Sequence, residues 1–211
     1  MEAKEAADTI RETTEDRRAV DERFRRRAAV AIGVMAMLLA IASLAGETAS
    51  REIINNNILA SDMWAFFQAK NIRQTDNQLA ADQLELVLAT QPKLPAEARD
   101  MIQKRIEEYR ATVARYDNEP DRTDPTNPLK GEGKKQLTAR ARAFEEKRDH
   151  AERRLPNFEY AQALFQLGIV LGSVSIVAGS RALLSLGLAL GAVALLLMLN
   201  GVFLLIELPV A

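Results

Sequence analysis

Three uncharged apolar runs, separated by strongly charged segments, dominate the pattern of hydrophobic and polar positions along the chain. The first covers residues 28–45, and the other two cover 161–179 and 182–206, with only Ser180 and Arg181 between them. Each run is close to or longer than the about 20 apolar residues that a helix needs to cross a bilayer. The pattern therefore predicts three transmembrane helices, the last two joined as a tight hairpin.

The charged middle of the chain also shows helical periodicity. Residues 47–90 contain neither proline nor glycine, and apolar residues recur there every seven positions, which is half of a coiled-coil seam. These residues are Ile58, Ala65, Ile72, Leu79 and Leu86. The other half of that seam, at Ser61, Gln68, Thr75 and Asp82, is polar. The pattern predicts one long helix with a weak seam.

Two further helices are predicted in the same region. A helix over 96–117 has apolar residues at alternating spacings of four and three, namely Ile102, Ile106, Tyr109, Val113 and Tyr116. A helix from Lys134 repeats every seven residues at Leu137, Phe144, Ala151, Phe158 and Phe165. Prolines at 92 and 95 end the first helix, residues 118–133 form a loop, and Pro156 predicts a kink or short break.

These elements predict an all-α integral membrane protein with three transmembrane helices and a long extramembrane helical hairpin, or coiled-coil stalk. Forty helical residues reach roughly 60 Å, so the stalk would project beyond the headgroups. The predicted segments are a charged N-terminal helix (1–27), transmembrane helix 1 (28–46), the stalk (47–157, with its loop at 118–133), transmembrane helix 2 (158–180), transmembrane helix 3 (181–207) and a C-terminal tail (208–211).

Composition limits the kinds of binding site that the chain can contain. The chain has 28 basic and 29 acidic residues, so it lacks the basic excess of a nucleic-acid-binding protein. It contains no cysteine and a single histidine, His150, which leaves no zinc or copper ligand set, and we expect no cofactor. Asp117, Glu119 and Asp121 alternate as in a calcium loop, but Pro128 stands where a bidentate glutamate belongs.

The sequence favours a protein without catalytic activity. The paired carboxylates Glu107–Glu108 and Glu145–Glu146 are adjacent on predicted helices and therefore point in different directions. No nucleophile elbow, phosphate-binding loop or zinc-protease motif occurs.

Flanking charges predict the orientation. The cluster Arg25, Arg26 and Arg27 precedes the first span, whereas only Arg51 follows it for two dozen residues. The positive-inside rule then places the N-terminus in the cytoplasm and the stalk on the opposite side. Lys147, Arg148, Arg153 and Arg154 give a competing signal, but long loops translocate largely regardless of charge. The Arg25–Arg27 cluster is also suited to anionic lipid headgroups.

The spans carry packing signals. Gly168 and Gly172, and Gly187 and Gly191, have the spacing that lets membrane helices approach closely, as do two pairs in the first span, Ala29–Gly33 and Ala36–Ala40. They predict a tightly packed bundle, within the monomer, between monomers, or both. Gln162, Gln166 and Asn200 are the strong polar groups of the spans; interhelical hydrogen bonds or the lining of a pore in an oligomer are the two interpretations.

The only tryptophan, Trp64, lies beside Phe66 and Phe67, about 28 Å of straight helix beyond Ala45. If the chain bends near Gly46, these rings lie among the lipid headgroups. If the helix continues, they form a helix–helix or subunit contact, which is the reading we favour.

The stretch Ala60-Ser61-Asp62-Met63-Trp64-Ala65-Phe66-Phe67-Gln68-Ala69-Lys70, followed by Ile72-Arg73-Gln74-Thr75, resembles the family known as DUF4337, a domain of unknown function. The order of a charged N-terminus, a span, a helical region and a membrane hairpin is similar over roughly residues 20–211. The resemblance implies a membrane protein of the bacterial envelope and supplies no activity or catalytic residue.

The resulting hypothesis is a non-enzymatic, homo-oligomeric scaffold of the bacterial inner membrane that contacts membrane lipids. The alternatives are a channel-like or transport-accessory oligomer, and an adaptor whose stalk binds a soluble protein partner.

Overall fold

Four α-helices account for almost all of the chain that the structure describes. The structure is a computed structural model, which describes the backbone of residues 2–206 and the side chains of residues 21–206. The helices are α1 (Glu2–Thr90), α2 (Ala96–Asp117), α3 (Lys134–Ala178) and α4 (Arg181–Phe203). No strand occurs within residues 2–206, so the predicted all-α class is confirmed. The predicted tail at 208–211 lies outside the described residues.

The helix ends follow local chemistry. Pro92 and Pro95 separate α1 from α2, and Asn118 ends α2 in an extended conformation. Gly179, in the left-handed region at φ +64°, turns the chain between α3 and α4, as a residue without a Cβ readily does. The bounds of α2 and the starts of α3 and α4 agree with the sequence prediction.

Of the kink or short break predicted at Pro156, the break does not occur, because α3 is continuous through this proline. Asn157 and Phe158, the next two residues, are fully buried, and Asn157 Nδ2 donates to the Arg153 carbonyl one turn back. The proline removes one backbone donor from this helix, and α3 continues past it. A bend near Gly46 is likewise not observed, because α1 is helical throughout.

Three helices are long and apolar enough to cross a membrane, judged by length and composition. They are the α1 segment Asp21–Thr90, α3 and α4. Their apolar windows are only 17–28% buried within the chain, so most of this apolar surface faces outward.

The chain divides into two compact units. Unit 1 comprises Met1–Arg51 and His150–Ala211, and unit 2 comprises Glu52–Asp149. In unit 1, parts of α1, α3 and α4 surround a core of buried apolar residues: Met35, Ala42, Phe158, Ala161, Phe165, Ala194 and Met198.

In unit 2, the rest of α1 packs on α2 and on the first part of α3. Leu137, Ala141 and Ile106 are buried there, together with Ala60 and Ala81 of α1. The seven-residue repeat of α3 and the four–three repeat of α2 both fall on buried or half-buried positions. The repeat of α1 does not: Ile58, Ala65, Ile72, Leu79 and Leu86 are all exposed.

Candidate functional site

The Trp64 segment lies against α3 in unit 2. The indole Nε1 of Trp64 donates a hydrogen bond to Glu145 Oε1 over 2.8 Å. The ring of Phe67 meets Trp64 edge to face, with centroids 5.7 Å apart, and the Lys134 ammonium lies 5.6 Å from the Phe67 centroid. Trp64 and Phe67 therefore make a helix–helix contact within the chain.

Phe66 behaves differently from its two aromatic neighbours. It is 62% exposed and borders a small cleft of about 190 Å³ that Met63, Lys70, Leu137 and Arg140 also line. Because successive residues of a helix are turned by about 100°, Phe66 cannot share the face of Phe67.

Lys70 connects the same segment to the loop. Its ammonium bonds to Glu119 Oε2 at 3.0 Å and lies 3.8 Å from a carboxylate oxygen of Glu132. It also lies 5.5 Å from the ring centroid of Tyr116. The Lys70 side chain is only 11% exposed, so this ion pair is less screened than the surface pairs of the stalk.

Loop 118–133 is folded tightly back on itself to present Glu119. Glu132 N donates to the Glu119 carbonyl over 2.9 Å, beside an isolated bridge between Pro120 and Gly131. A Cβ on Gly133 would stand 2.2 Å from Glu119 N, so only glycine fits there. Trp64 and Lys70 belong to the stretch that carries the family resemblance. They hold α3 and loop 118–133 against α1.

The opposite side of α1 in unit 2 carries the exposed repeat, which we call the outer row: Ile58, Ala65, Ile72, Leu79 and Leu86. Its four large members are between 54% and 63% exposed. The buried or half-buried positions of α1 alternate with it, at Ala60, Phe67, Gln74 and Ala81. The outer row is an uncharged apolar face without a partner among the described residues of the chain.

The four glycines of the two packing motifs in the second and third spans face inward. A Cβ on Gly168 would lie 2.9 Å from the Gly187 carbonyl oxygen, and a Cβ on Gly187 would lie 2.9 Å from that of Gly168. Gly172 approaches Ile32, and Gly191 approaches the sulfur of Met35. These four glycines let α1, α3 and α4 pack closely within one chain.

The small residues of the first span face the other way. Ala29, Gly33, Ala36 and Ala40 are exposed, and a Cβ on Gly33 would meet no atom within 4 Å. The structure therefore separates the predicted packing motifs into an inward set on α3 and α4 and an outward set on α1.

Two of the three span polar groups make hydrogen bonds inside unit 1. Asn200 Nδ2 donates to Asn157 Oδ1 over 2.7 Å and to the Ile206 carbonyl over 2.8 Å. Gln162 Nε2 donates to the Ala42 carbonyl over 3.4 Å. Gln166 is exposed. The structure does not bring the three groups together.

Two of the arginines before the first span lie beside the start of α4 in unit 1. Arg25, Arg26 and Arg27 are exposed. Arg27 and Arg23 border a cleft of about 450 Å³ together with Arg181 at the start of α4.

Among the side chains of residues 21–206, acidic residues and His150 form no cluster of three or more that could hold a metal ion. His150, Glu107 and Glu108 are exposed. Asp121 accepts hydrogen bonds from the hydroxyl and the backbone N–H of Thr123, which hold the pKa of its carboxyl below its ordinary value. Asp121 therefore has a turn-forming role in the loop.

Sequence analysis missed three features. Asn157 lies just before the predicted span and looks like part of a charged helix, yet it is fully buried and paired with Asn200. The contribution of Arg181 to the arginine cleft depends on the hairpin geometry. The outward direction of the outer row has no signal in the sequence, because an apolar residue at every seventh position is also the pattern of a buried seam.

Comparison with known proteins identifies a family. The family described as "Domain of unknown function (DUF4337)" matches residues 24–204, which is most of the chain. No curated protein and no solved structure matches the chain.

Proposed function

The chain belongs to the DUF4337 family, and we propose that it is a non-enzymatic integral membrane protein that self-associates as a helical scaffold. The single observation that carries this proposal is the outer row of α1, an apolar face that remains exposed among residues 21–206. The occupant of this face is a second copy of the chain.

Membrane insertion is supported by the outward surface of unit 1. Large apolar side chains such as Met37, Leu44, Val177 and Leu196 are between 65% and 89% exposed. A surface of this kind is costly in water and suited to lipid tails. Helical spans are the form used in cytoplasmic membranes, which supports the inner membrane of a bacterium as the location.

Orientation is supported by the position of the arginine cleft. Arg23 and Arg27 precede the first span, and Arg181 lies in the turn between the other two, so all three lie at one end of the spans. The positive-inside rule assigns that end to the cytoplasm. Unit 2 would then lie on the opposite side of the membrane.

Self-association is supported by the length, area and charge of the outer row. From Ile54, which is also exposed, to Leu86 the face extends about 48 Å along the helix. Its large side chains expose on the order of 600 Å² of surface per chain. Two paired copies would therefore bury about 1,200 Å² in total, which is roughly the smallest area of a stable interface. No member of the row is itself charged, but Asp82 lies one turn from Leu79 and Leu86, so pairing must leave this carboxylate at the exposed edge of the contact.

The pore hypothesis has less support. A pore needs polar side chains that face a shared lumen, whereas Gln162 and Asn200 are used in hydrogen bonds within the chain. Gln166 is the one of the three that remains exposed. An adaptor role would use the same outer row for a soluble partner, and the experiment below distinguishes it.

Because the chain has no cysteine, a single cysteine tests the contact directly. In membranes, Ile72→Cys should form a disulfide-linked dimer on oxidation, because a symmetric contact brings two copies of the row together. Met101→Cys is the matched control, since Met101 is 73% exposed on α2, away from the row. Equal crosslinking at both positions, or none at Ile72, would reject the second copy as the occupant.

A further inference from the structure

The arginine cleft of unit 1 combines a basic surface and an apolar surface. Arg23, Arg27 and Arg181 line a space of about 450 Å³, and none of the described residues that line it carries a carboxylate. Phe24, Leu184 and Leu188 form the apolar part of the same lining. A molecule that fits both surfaces is anionic at one end and apolar at the other.

The charges of the cleft are not balanced by their helical neighbours. Arg23 and Arg27 are one turn apart on α1, and like charges at this spacing repel each other. The residues three and four positions from Arg23, Arg27 and Arg181 include no acid. By contrast, Arg25 has Asp21 four residues before it and Glu22 three residues before it.

The third arginine lies in a position that adds to the positive potential. Arg181 is the first residue of α4, and the N-terminus of a helix carries partial positive charge. Ser180, the residue before it, makes no side-chain capping hydrogen bond. A bound anion would offset both the guanidinium charges and the helix dipole.

We propose that this cleft binds the phosphate of an anionic membrane phospholipid through Arg23, Arg27 and Arg181, with its acyl chains against Phe24, Leu184 and Leu188. Guanidinium groups donate paired hydrogen bonds to phosphate oxygens, so three of them can surround one headgroup. Free phosphate shares this headgroup chemistry, but it makes no use of the apolar wall. The site is independent of the outer row, which lies in unit 2.

The test uses the full-length protein in neutral detergent, titrated with dihexanoyl phosphatidylglycerol, dihexanoyl phosphatidylcholine or inorganic phosphate. Native mass spectrometry counts the bound molecules per chain. We expect saturable binding of one phosphatidylglycerol per chain. Each of Arg23→Gln, Arg27→Gln and Arg181→Gln should weaken it roughly five-fold, as expected for one basic residue beside an anionic lipid.

Arg25→Gln is the matched control: Arg25 belongs to the arginine cluster that the sequence associates with headgroups, but it does not line the cleft, and Asp21 and Glu22 lie within one turn of it. It should change the affinity less than two-fold. Ser185→Trp provides a second variant: it fills the cleft from α4 while leaving every arginine in place, and it should abolish binding. Its helicity, measured by circular dichroism, shows whether it remains folded.

Three results would overturn the proposal. Equal affinity for phosphatidylcholine would show that charge is not recognised. Equal affinity for inorganic phosphate would show that the apolar wall contributes nothing and that the ligand is not a lipid. An equal loss in Arg25→Gln, or full binding in folded Ser185→Trp, would show diffuse attraction rather than this cleft.

Discussion

The indole of Trp64 on α1 donates its hydrogen bond to the carboxylate of Glu145 on α3, 2.8 Å away. This bond joins residues 81 positions apart and gives the single tryptophan a partner within its own chain. Together with the Lys70–Glu119 ion pair, it fixes the long helix α1 onto the rest of unit 2. The subunit contact that we propose therefore uses another face of α1.

Replacing Trp64 with phenylalanine should lower stability without changing the oligomeric state. The change keeps an aromatic ring and removes the donor, so we expect a loss of about 1 kcal/mol for a partly exposed hydrogen bond to a carboxylate. Thermal unfolding followed by circular dichroism measures the loss. Glu146→Gln, beside Glu145 but exposed, is the control and should be neutral. A dissociated oligomer in Trp64→Phe would assign this residue to the subunit contact after all.

Leucine at Gly168 should destabilise unit 1 strongly. A Cβ there would already lie 2.9 Å from the Gly187 carbonyl oxygen, and backbone cannot move aside as a flexible side chain can. We expect a cost of about 2–3 kcal/mol from overpacking. Gly33→Leu makes the same change in the first span, where no atom lies within 4 Å, and should leave unit 1 folded. Retention of helicity and thermal midpoint in both variants would contradict the close contact of α3 and α4.

The Asn157–Asn200 pair should behave as a coupled unit. Asn157→Leu leaves Asn200 with one partner fewer, and Asn200→Leu removes the donor to Oδ1 of the fully buried Asn157, whose Nδ2 keeps its bond to the Arg153 carbonyl. A double-mutant cycle should give a coupling of about 0.5–1.5 kcal/mol, the range for hydrogen bonds between membrane helices. Additive effects of the two substitutions would show that the bond is not formed in the membrane.

The Asp121 turn should respond to acid in a defined direction. Hydrogen bonds from the Thr123 hydroxyl and backbone lower the pKa of the Asp121 carboxyl, so its folded value lies below the unfolded value of about 3.9. The stabilisation of loop 118–133 is then fully present above the unfolded pKa and is lost as the pH falls through the folded pKa. NMR titration should show Asp121 titrating low, and Thr123→Val should raise its pKa toward the ordinary value. An unchanged pKa in that variant would contradict the hydroxyl contact.

Sequence alone predicts the helices well, because proline, glycine and uninterrupted apolar runs mark their ends and spans. It also finds the inward glycines of α3 and α4, whose spacing has a direct packing meaning. It fails on which face of α1 packs within the chain. That face carries Lys70 and Gln74, which are polar but individually bonded to Glu119 and to the Val113 carbonyl. An apolar stripe is a guide to burial only when no such specific polar contacts compete.

The same limit applies to Asn157 and Arg181. Asn157 follows a run of charged residues, so nothing in the local sequence indicates that it is buried. Its burial depends on its partner Asn200, which lies on α4. In the sequence, Arg181 stands between two apolar runs and is predicted only as a turn residue. In the structure, the hairpin of α3 and α4 places it beside the arginines that precede the first span. Both depend on contacts between segments far apart in sequence, which local patterns do not encode.

The mass of the protein particle in lipid nanodiscs tests the central claim most directly. The wild-type chain should give an oligomer, and Ile72→Lys combined with Leu79→Lys should give monomers, because two opposing charged rows cannot pair. Met101→Lys, the same change at an exposed apolar residue outside the row, should leave the oligomer intact. A monomeric wild-type protein, or an oligomer that survives the double substitution, would contradict self-association through the outer row of α1.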